Sequence, residues 1–288
     1  MARTFVDEGG PLIDLHRRLE EEAAARGETL ADAVRHHLLA GLVARVAKTP
    51  EGEGFVLRGG MATRAWVSPL SRPTRDLDYV GDFDFSVEEA ARRFQAGLRV
   101  KVDDEIVVDE VSFRWKGIWL DTAFPGARFT VAVGLGDFAE GPVTVDVGFR
   151  DPLVPEPGSL VVAGVRVRCV RPETQVAWKL HALAEMGAGF RPKDLADLWR
   201  ITAHVPLADL ALAEAIVPAF TSRGYSLDDA RAVLEHPHWS TKSTRVRWSP
   251  NRSGAGLPPL PRVLQDVRER LARALATLPE PASHADRP

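Results

Sequence analysis

The sequence predicts a mixed α/β (α+β) protein, in which a mixed β-sheet with flanking helices precedes a mainly helical C-terminal region. Three observations indicate this order. Leucine and valine recur at spacings of three and four over residues 12–46, which is typical of amphipathic helices. Residues 76–168 alternate polar side chains with valines and aromatics, which is typical of strands. Helical spacing returns from residue 171 onward.

A short strand and a glycine pair follow the N-terminal helices. The apolar run 55–57 (FVL) is typical of a buried strand, and it ends at Gly59-Gly60. Residues 61–68 (MATRAWVS) suit one or two turns of helix. A longer helix is predicted at Val87–Leu98, where small, charged and aromatic residues replace the strand pattern.

The remaining elements divide the chain into two expected domains. Strands are expected at 76–85 (DLDYVGDFDF), 105–115 (EIVVDEVSFRW), 128–135 (RFTVAVGL), 143–150 (VTVDVGFR) and 160–170 (LVVAGVRVRCV). Helices are expected at 172–186, 193–205, 207–220 and 261–278. We therefore expect an N-terminal domain of residues 1–170, with its leading helices, and a helical C-terminal domain of residues 171–288.

Composition indicates a folded, soluble protein. Hydrophobic residues make up 45% and charged residues 27% of the chain, which argues against disorder. No apolar run approaches the ~20 residues of a membrane span, and the start of the chain lacks the apolar segment of a signal peptide. We therefore expect the protein in the cytoplasm. Cys169, the one cysteine, excludes an internal disulfide, and its apolar neighbours favour a buried small side chain.

Two aspartates of the run TRDLDYV are the first candidates for a functional site. Asp76 and Asp78 are two residues apart in a predicted strand, so their side chains project from the same face of the sheet. Leu77 and Tyr79 then point to the opposite face, towards the core. Two adjacent carboxylates repel each other unless a cation lies between them. Magnesium prefers such hard oxygen ligands and keeps open positions for phosphate oxygens.

A third acid lies in the strongest strand pattern of the chain. Asp146 is flanked by valines in VTVDVGFRD. If Val145 and Val147 face the core, Asp146 lies on the opposite face, between the small residues Thr144 and Gly148. Small neighbours leave room for a ligand, so we expect Asp146 to complete a metal site with Asp76 and Asp78.

The glycine pair and the acids together resemble a known family. Gly59 and Gly60 end a strand and lead into a helix, where bare backbone N–H groups can approach a triphosphate. The run LRGGMATRAWVSPLSRPTRDLDYV resembles the signature of nucleotidyltransferase-fold proteins, specifically the AbiEii-type toxins of abortive-infection and toxin–antitoxin systems, which include the mycobacterial MenT group. The run VTVDVGFRDPLVP resembles the third-acid strand of that family. The loop 67–75 departs from the pattern by containing two prolines.

The resemblance extends to two later motifs. By position, Lys179 in PETQVAWKLHAL corresponds to a functional lysine of the family, and Asp194 in RPKDLADLW corresponds to a functional aspartate. The resemblance therefore implies catalytic roles for Asp76, Asp78, Asp146, Lys179 and Asp194. Alone, a lysine and an aspartate on helices are more often surface ion-pair residues.

The expected chemistry is metal-dependent transfer of a nucleotide. The three aspartates hold Mg²⁺ or Mn²⁺, and Asp146 also draws a proton from the incoming hydroxyl. The nucleoside triphosphate, the expected substrate, lies against Gly59 and Gly60. Lys179 neutralises its phosphates as a point charge, and Arg75 is a further candidate for contact with the nucleotide.

A basic segment near the C-terminus is a candidate for RNA binding. Residues 236–265 contain Lys242, Arg245, Arg247 and Arg252 but no Asp or Glu, and Trp239 and Trp248 lie among them. This pattern suits phosphate contact with base stacking on RNA. It equally suits a loop packed by two tryptophans against the helical domain.

The resemblance implies a toxin that adds nucleotides to the 3′ acceptor end of tRNA and so blocks translation, with a cognate antitoxin as partner. The resemblance also implies that an antitoxin can act by modifying a hydroxyl near the acidic motif, for which Thr74 and Ser71 are the candidates here. A phosphate at that position would repel an incoming triphosphate. Two alternatives stay open at this point. In the first, the acceptor of the nucleotide is a small molecule, such as an aminoglycoside, or a protein. In the second, the chain binds nucleotide without catalysing its transfer. No membrane partner is expected.

Overall fold

The structure is a computed structural model that describes residues 10–136, 138–248 and 256–280. The chain divides into two compact units. The first, here called the sheet unit, comprises the described residues up to Ala65 together with Pro73–Arg150 and Ser159–Cys169. The second, the helical unit, comprises Trp66–Arg72, Asp151–Gly158 and the described residues from Val170 onward.

The sheet unit begins with the two expected helices. They are α1 (Pro11–Arg26) and α2 (Leu30–Ala47). The side chain of Thr29 accepts a hydrogen bond from the backbone N–H of Asp32 at 3.1 Å, and the carboxylate of Asp32 accepts from Thr29 in return. This reciprocal cap fixes where α2 begins, because it satisfies donors that the first turn of a helix leaves unpaired. Two further helices are α3 (Gly59–Val67) and α4 (Val87–Leu98), and α4 has the expected bounds.

The strands form one mixed sheet, which confirms the expected fold class. Within the described residues it has seven strands in the order β3-β4-β5-β2-β1-β7-β6. Strands β2 and β5 run parallel, as do β1 and β7, whereas β1–β2, β3–β4 and β4–β5 are antiparallel pairs. The strands are β1 (Phe55–Arg58), β2 (Asp76–Gly81), β3 (Ile106–Ile118), β4 (Gly126–Leu135), β5 (Phe138–Phe149), β6 (Gly158–Val162) and β7 (Val165–Cys169).

Three of the expected strands differ clearly from those in the structure; the one expected at 143–150 already begins at Phe138. The single strand expected at 160–170 is a pair, β6 and β7, because Ala163 and Gly164 both adopt positive φ, 46° and 75°, and form a two-residue turn. The strand expected at 76–85 ends at Gly81. Beyond it the Phe83 ring packs edge-on against Phe149 with centroids 5.2 Å apart, so the alternation there reflects core packing rather than strand pairing.

The core of the sheet unit explains why the central strands carry so many valines. Val143, Val145 and Val147 on β5 are fully buried, as is Leu77 on β2. Burying each such aliphatic side chain contributes about 1.5–3 kcal/mol relative to exposure. Cys169 at the end of β7 is also buried, as expected for a small apolar side chain. One face of β2 and β5 is thereby held in the core and the other is left for polar residues.

The helical unit has its own apolar core. Leu180, Leu198, Ile216 and Val263, each on a different helix, are fully buried in it. The helices are α5 (Pro172–Met186), α6 (Pro192–His204), α7 (Asp209–Thr221), α8 (Leu227–Ala232), α9 (Lys242–Arg247) and α10 (Leu260–Ala276). Across the described ranges, no helix has both the length and the apolar character needed to cross a membrane.

Candidate functional site

The sheet brings the three aspartates singled out above onto one face. In the parallel pairing of β2 with β5, Asp78 lies directly beside Asp146, and Asp76 lies beside Thr144. Paired residues of neighbouring strands project to the same side of a sheet, and residues two apart in a strand do so as well. All three aspartates are partly exposed, whereas Leu77 and Tyr79 between and beyond them are buried. The alternation read from the sequence therefore holds.

An arginine that sequence reasoning missed lies beside the acids. Arg128 on β4 pairs in register with Asp146 on β5. Its Nε donates to Oδ1 and its Nη2 to Oδ2 of Asp146, each at 2.7 Å, which is a bidentate ion pair. The bond to Asp146 is the main reason that the pKa of Arg128 is raised; the charges of Asp76 and Asp78 act in the same direction, and burial acts against them.

The donor set suits a divalent cation, although it is not preassembled around one. In the part of the chain that the structure describes, no three His, Cys, Asp or Glu side chains converge as a ready ligand group. The Asp146 carboxylate is instead paired with Arg128, whose guanidinium supplies the positive charge that a metal ion would supply. Three carboxylates on one face offer the hard oxygens that Mg²⁺ and Mn²⁺ prefer. The residues present therefore fit a metal of this class.

Glycine at position 59 is required by the contact with Asp78. Gly59 has φ 71°, in the left-handed region, and a Cβ there would lie 2.2 Å from Oδ2 and 2.8 Å from Cγ of Asp78. Any side chain at this position would push the carboxylate aside. Gly59 begins α3, and Gly60 follows it as a buried residue of the first turn. The missing side chain thus lets the Asp78 carboxylate approach the start of a helix.

The residues just before β2 differ in accessibility. Arg75 is exposed, and its backbone carbonyl accepts hydrogen bonds from Arg35 at 3.3 and 3.0 Å. Thr74 is buried, and its hydroxyl donates to the Asp76 carbonyl at 3.4 Å. Ser71, in the helical unit, is partly exposed. A modifying enzyme would therefore need local opening to reach Thr74, whereas the Arg75 side chain is accessible as it stands.

Lys179 and Asp194 form part of a buried ionic cluster within the helical unit. The Nζ of Lys179 lies 3.1 Å from Oδ1 of Asp194 and 2.9 Å from Oδ2 of Asp197. Arg72, which sequence reasoning did not select, donates from Nε and Nη2 to the two oxygens of Asp197, each at 3.1 Å. Arg191 reaches Oδ2 of Asp194 at 2.6 Å. The spacing of K-D-L-x-D-L places both aspartates on the face of α6 that meets Lys179.

The cluster holds the carboxylate of Asp197 in the charged state. Burial alone would raise the pKa of Asp197, but the charges and hydrogen bonds of Lys179 and Arg72 outweigh it, and the pKa lies below its usual value. Breaking a buried ion pair leaves an uncompensated charge, which is strongly destabilising. Removing a single member of the cluster is therefore expected to destabilise the helical unit, whatever further role these residues have.

The basic segment retains its charges in the structure but not its stacking surface. Lys242 and Arg245 on α9 are exposed, and Arg247 is partly buried. Both tryptophans are buried in the core of the helical unit: the Nε1 of Trp239 donates to the Val233 carbonyl at 2.7 Å, and that of Trp248 to the Pro258 carbonyl at 3.2 Å. Base stacking on these rings is therefore contradicted. Arg252 lies outside the described residues.

Comparisons with known proteins identify the family of this chain and a relative of its fold. The family described as "Nucleotidyl transferase AbiEii toxin, Type IV TA system" matches residues 41–275. Among solved structures, the nucleotidyltransferase toxin MenT4 from Mycobacterium tuberculosis is similar in fold, with a TM-score of 0.56 and 16% sequence identity. The match covers 92% of this chain and 90% of that one. No curated protein matches the sequence.

Proposed function

The chain belongs to the AbiEii nucleotidyltransferase toxin family of type IV toxin–antitoxin systems, and from this premise we propose that it transfers nucleotides from a nucleoside triphosphate to the 3′ end of tRNA and so blocks translation. The observation that carries the proposal is the register of β2 with β5, which sets Asp78 beside Asp146 and next to Gly59. Carboxylates clustered on one face beside a bare helix start suit metal and phosphate together.

Asp76, Asp78 and Asp146 would hold the divalent cation, Mg²⁺ or Mn²⁺. When bound, such an ion neutralises charge on the phosphates during transfer. Asp146 is also the proposed acceptor of the proton from the attacking hydroxyl, since a carboxylate within hydrogen-bond reach suffices for this role. Strands β2 and β5 fix the backbone of the three aspartates. Their proposed role is therefore to position the reacting groups, not to form covalent bonds with the substrate.

The triphosphate is proposed to lie against the start of α3. Gly59 and Gly60 carry no side chains that would keep a phosphate from the backbone at the start of α3, and the exposed side chain of Arg75 adds positive charge. On the family resemblance, we extend the proposal to Lys179 and Asp194 as residues that transfer requires. Lys179 is proposed to contact the nucleotide, and Asp194 to orient it through the ion pair at 3.1 Å.

Contact with tRNA is proposed through Lys242, Arg245, Arg247 and Arg252. Because both tryptophans of this segment are buried, the contact is with phosphates alone. Binding should then be independent of sequence and fall steeply with salt concentration, since each neutralised phosphate releases counterions. We also propose the cytoplasm as the site of action, because tRNA is the substrate.

Membership of a toxin–antitoxin family implies a cognate antitoxin as partner. We propose that modification of a hydroxyl close to β2 would suffice to inhibit transfer, because a phosphate there would repel the triphosphate. Ser71 is the more accessible of the two candidate hydroxyls, since Thr74 is buried.

The experiment that tests the proposal follows labelled nucleoside triphosphates incubated with the protein, Mg²⁺ and total RNA. We expect label on tRNA and equimolar release of pyrophosphate. The matched control is tRNA whose terminal ribose has been oxidised with periodate, which removes the accepting 3′ hydroxyl and should abolish labelling. Label on a small molecule or a protein, or nucleotide binding without pyrophosphate release, would replace the proposal with one of the two alternatives.

A further inference from the structure

The arginine beside the acidic face has a position that suits exchange with a cation. Arg128 contacts both oxygens of Asp146 at 2.7 Å. A divalent cation bound to the same carboxylate would lie within a few ångströms of the guanidinium, where two positive groups repel each other. Both cannot occupy Asp146 without a cost, so the binding of one opposes the binding of the other.

The surroundings of Arg128 allow its side chain to leave while its backbone stays in place. Its neighbours on β4, Ala127 and Phe129, are fully buried and anchor the strand. The Arg128 side chain itself is 39% exposed, against 20% for Asp146. The guanidinium therefore has a route to solvent, and its departure requires no rearrangement of the sheet.

The negative charge of the acidic face explains why an arginine beside Asp146 is favourable in the absence of metal. Three carboxylates lie on this face; the guanidinium of Arg128 contacts both oxygens of Asp146, and Arg58 lies in register beside Asp78. Without any cation, repulsion between these carboxylates would oppose folding of the sheet. A guanidinium bound in the absence of metal relieves that repulsion and keeps Asp146 in place until metal arrives.

We propose that Arg128 is the exchangeable counter-ion of Asp146, which a divalent cation displaces when it binds the three aspartates. The inference rests on the proposed function, because it takes those aspartates as the metal ligands. Arg128 is thus a positioning residue, which acts through Asp146.

The first test measures Mn²⁺ binding to the full-length protein by isothermal titration calorimetry, without nucleotide. Removing the competitor in Arg128→Met should tighten Mn²⁺ binding roughly five-fold, the effect expected for a partly exposed ion pair. Arg128→Lys keeps the positive charge but loses the two-point contact of the guanidinium with Asp146, so its Mn²⁺ affinity should lie between those of Arg128→Met and wild type. The matched control is Arg168→Met on β7, because Arg168 also makes a 2.7 Å ion pair, with Asp82, and is 37% exposed. It should bind Mn²⁺ as wild type does.

The second test observes Arg128 directly in the wild-type protein, so it does not depend on the folding of Arg128→Met. The ¹⁵Nε resonance of Arg128, identified by its absence from the spectrum of Arg128→Lys, should shift when Mg²⁺ saturates the site. A resonance that stays unchanged would overturn the inference, as would unchanged or weaker Mn²⁺ binding by Arg128→Met. If wild type itself binds no Mn²⁺, the metal site of the proposed function fails with it; if wild type binds and only the variant comparison fails, the proposed function stands.

Discussion

Replacing Gly59 by alanine is the substitution whose effect the structure defines most closely. An alanine at φ 71° pays the steric cost of the left-handed region, about 1–2 kcal/mol. Its Cβ would also lie 2.2 Å from Oδ2 of Asp78, far inside the usual contact distance of about 3.5–4.0 Å. Overpacking of this kind adds about 1–3 kcal/mol. We therefore expect Gly59→Ala to lower the free energy of unfolding by about 2–5 kcal/mol.

The same substitution should affect transfer more than stability. The Asp78 carboxylate must move by about 1 Å to clear the new methyl group, and a misplacement of that size can cost about a hundredfold in rate. Urea unfolding measures the stability of the variant. Labelled-nucleotide transfer, measured at a temperature where the variant is fully folded, gives the rate.

A second glycine separates the backbone effect from the contact. Gly164, in the turn between β6 and β7, has φ 75°, and a Cβ there would meet nothing within 4 Å. Gly164→Ala should therefore lose about 1–2 kcal/mol of stability, from backbone strain alone, and keep wild-type transfer. The reasoning is refuted if folded Gly59→Ala transfers nucleotides at the wild-type rate, or if Gly164→Ala loses transfer to the same extent.

Three further predictions follow. The pKa of His36 is lowered to about 3, chiefly by burial, so on acidification the unfolded chain takes up a proton before the folded protein does. The free energy of unfolding should therefore fall as the pH drops from 6.5 towards 3, by at most about 1.4 kcal/mol per pH unit. Urea unfolding of His36→Gln should show a smaller decline over this range, and an equal decline would contradict the prediction. Asp197→Asn should lower the free energy of unfolding by about 3–5 kcal/mol at pH 7, because it leaves Lys179 without one of its carboxylates. Since the pKa of Asp197 is lowered in the folded state, this difference from wild type should shrink only below about pH 4. A difference that does not depend on pH would count against the ionic cluster. Replacing Lys242 and Arg245 by Gln should weaken tRNA binding and reduce the slope of log K against log salt concentration by about one per charge removed. An unaltered slope would exclude these residues from the interface.

The parts of the fold that the sequence predicted are those governed by local periodicity. Helix α4 has the expected bounds because its apolar residues repeat at helical spacing and Ser86 caps its first turn. The shared face of Asp76 and Asp78 follows from the two-residue period of a strand. Asp146 was found because an acid between buried valines can only lie on the polar face.

The parts that the sequence did not predict depend on pairing between distant segments. Arg128 is one polar residue in an alternating strand, and only the antiparallel register of β4 with β5 sets it opposite Asp146. Arg72 meets Asp197 from a position 125 residues earlier in the chain, so no local pattern indicates their contact. The turn at Ala163 and Gly164 was hidden in a run of valines that reads as one strand. The signal that the sequence does offer is a lone arginine in an alternating strand, but this pattern does not indicate which acid it contacts.

The central claim is tested most directly by the rate of nucleotide transfer in Asp78→Asn, compared with Asp82→Asn. Asp78 lies on the acidic face beside Asp146, whereas Asp82 follows the end of β2 and pairs with Arg168. We predict that folded Asp78→Asn loses about a hundredfold or more of tRNA labelling and of pyrophosphate release, since the interactions of a bound metal are worth several kcal/mol to the reaction. Asp82→Asn should keep both. Wild-type labelling by Asp78→Asn would contradict the assignment of the site.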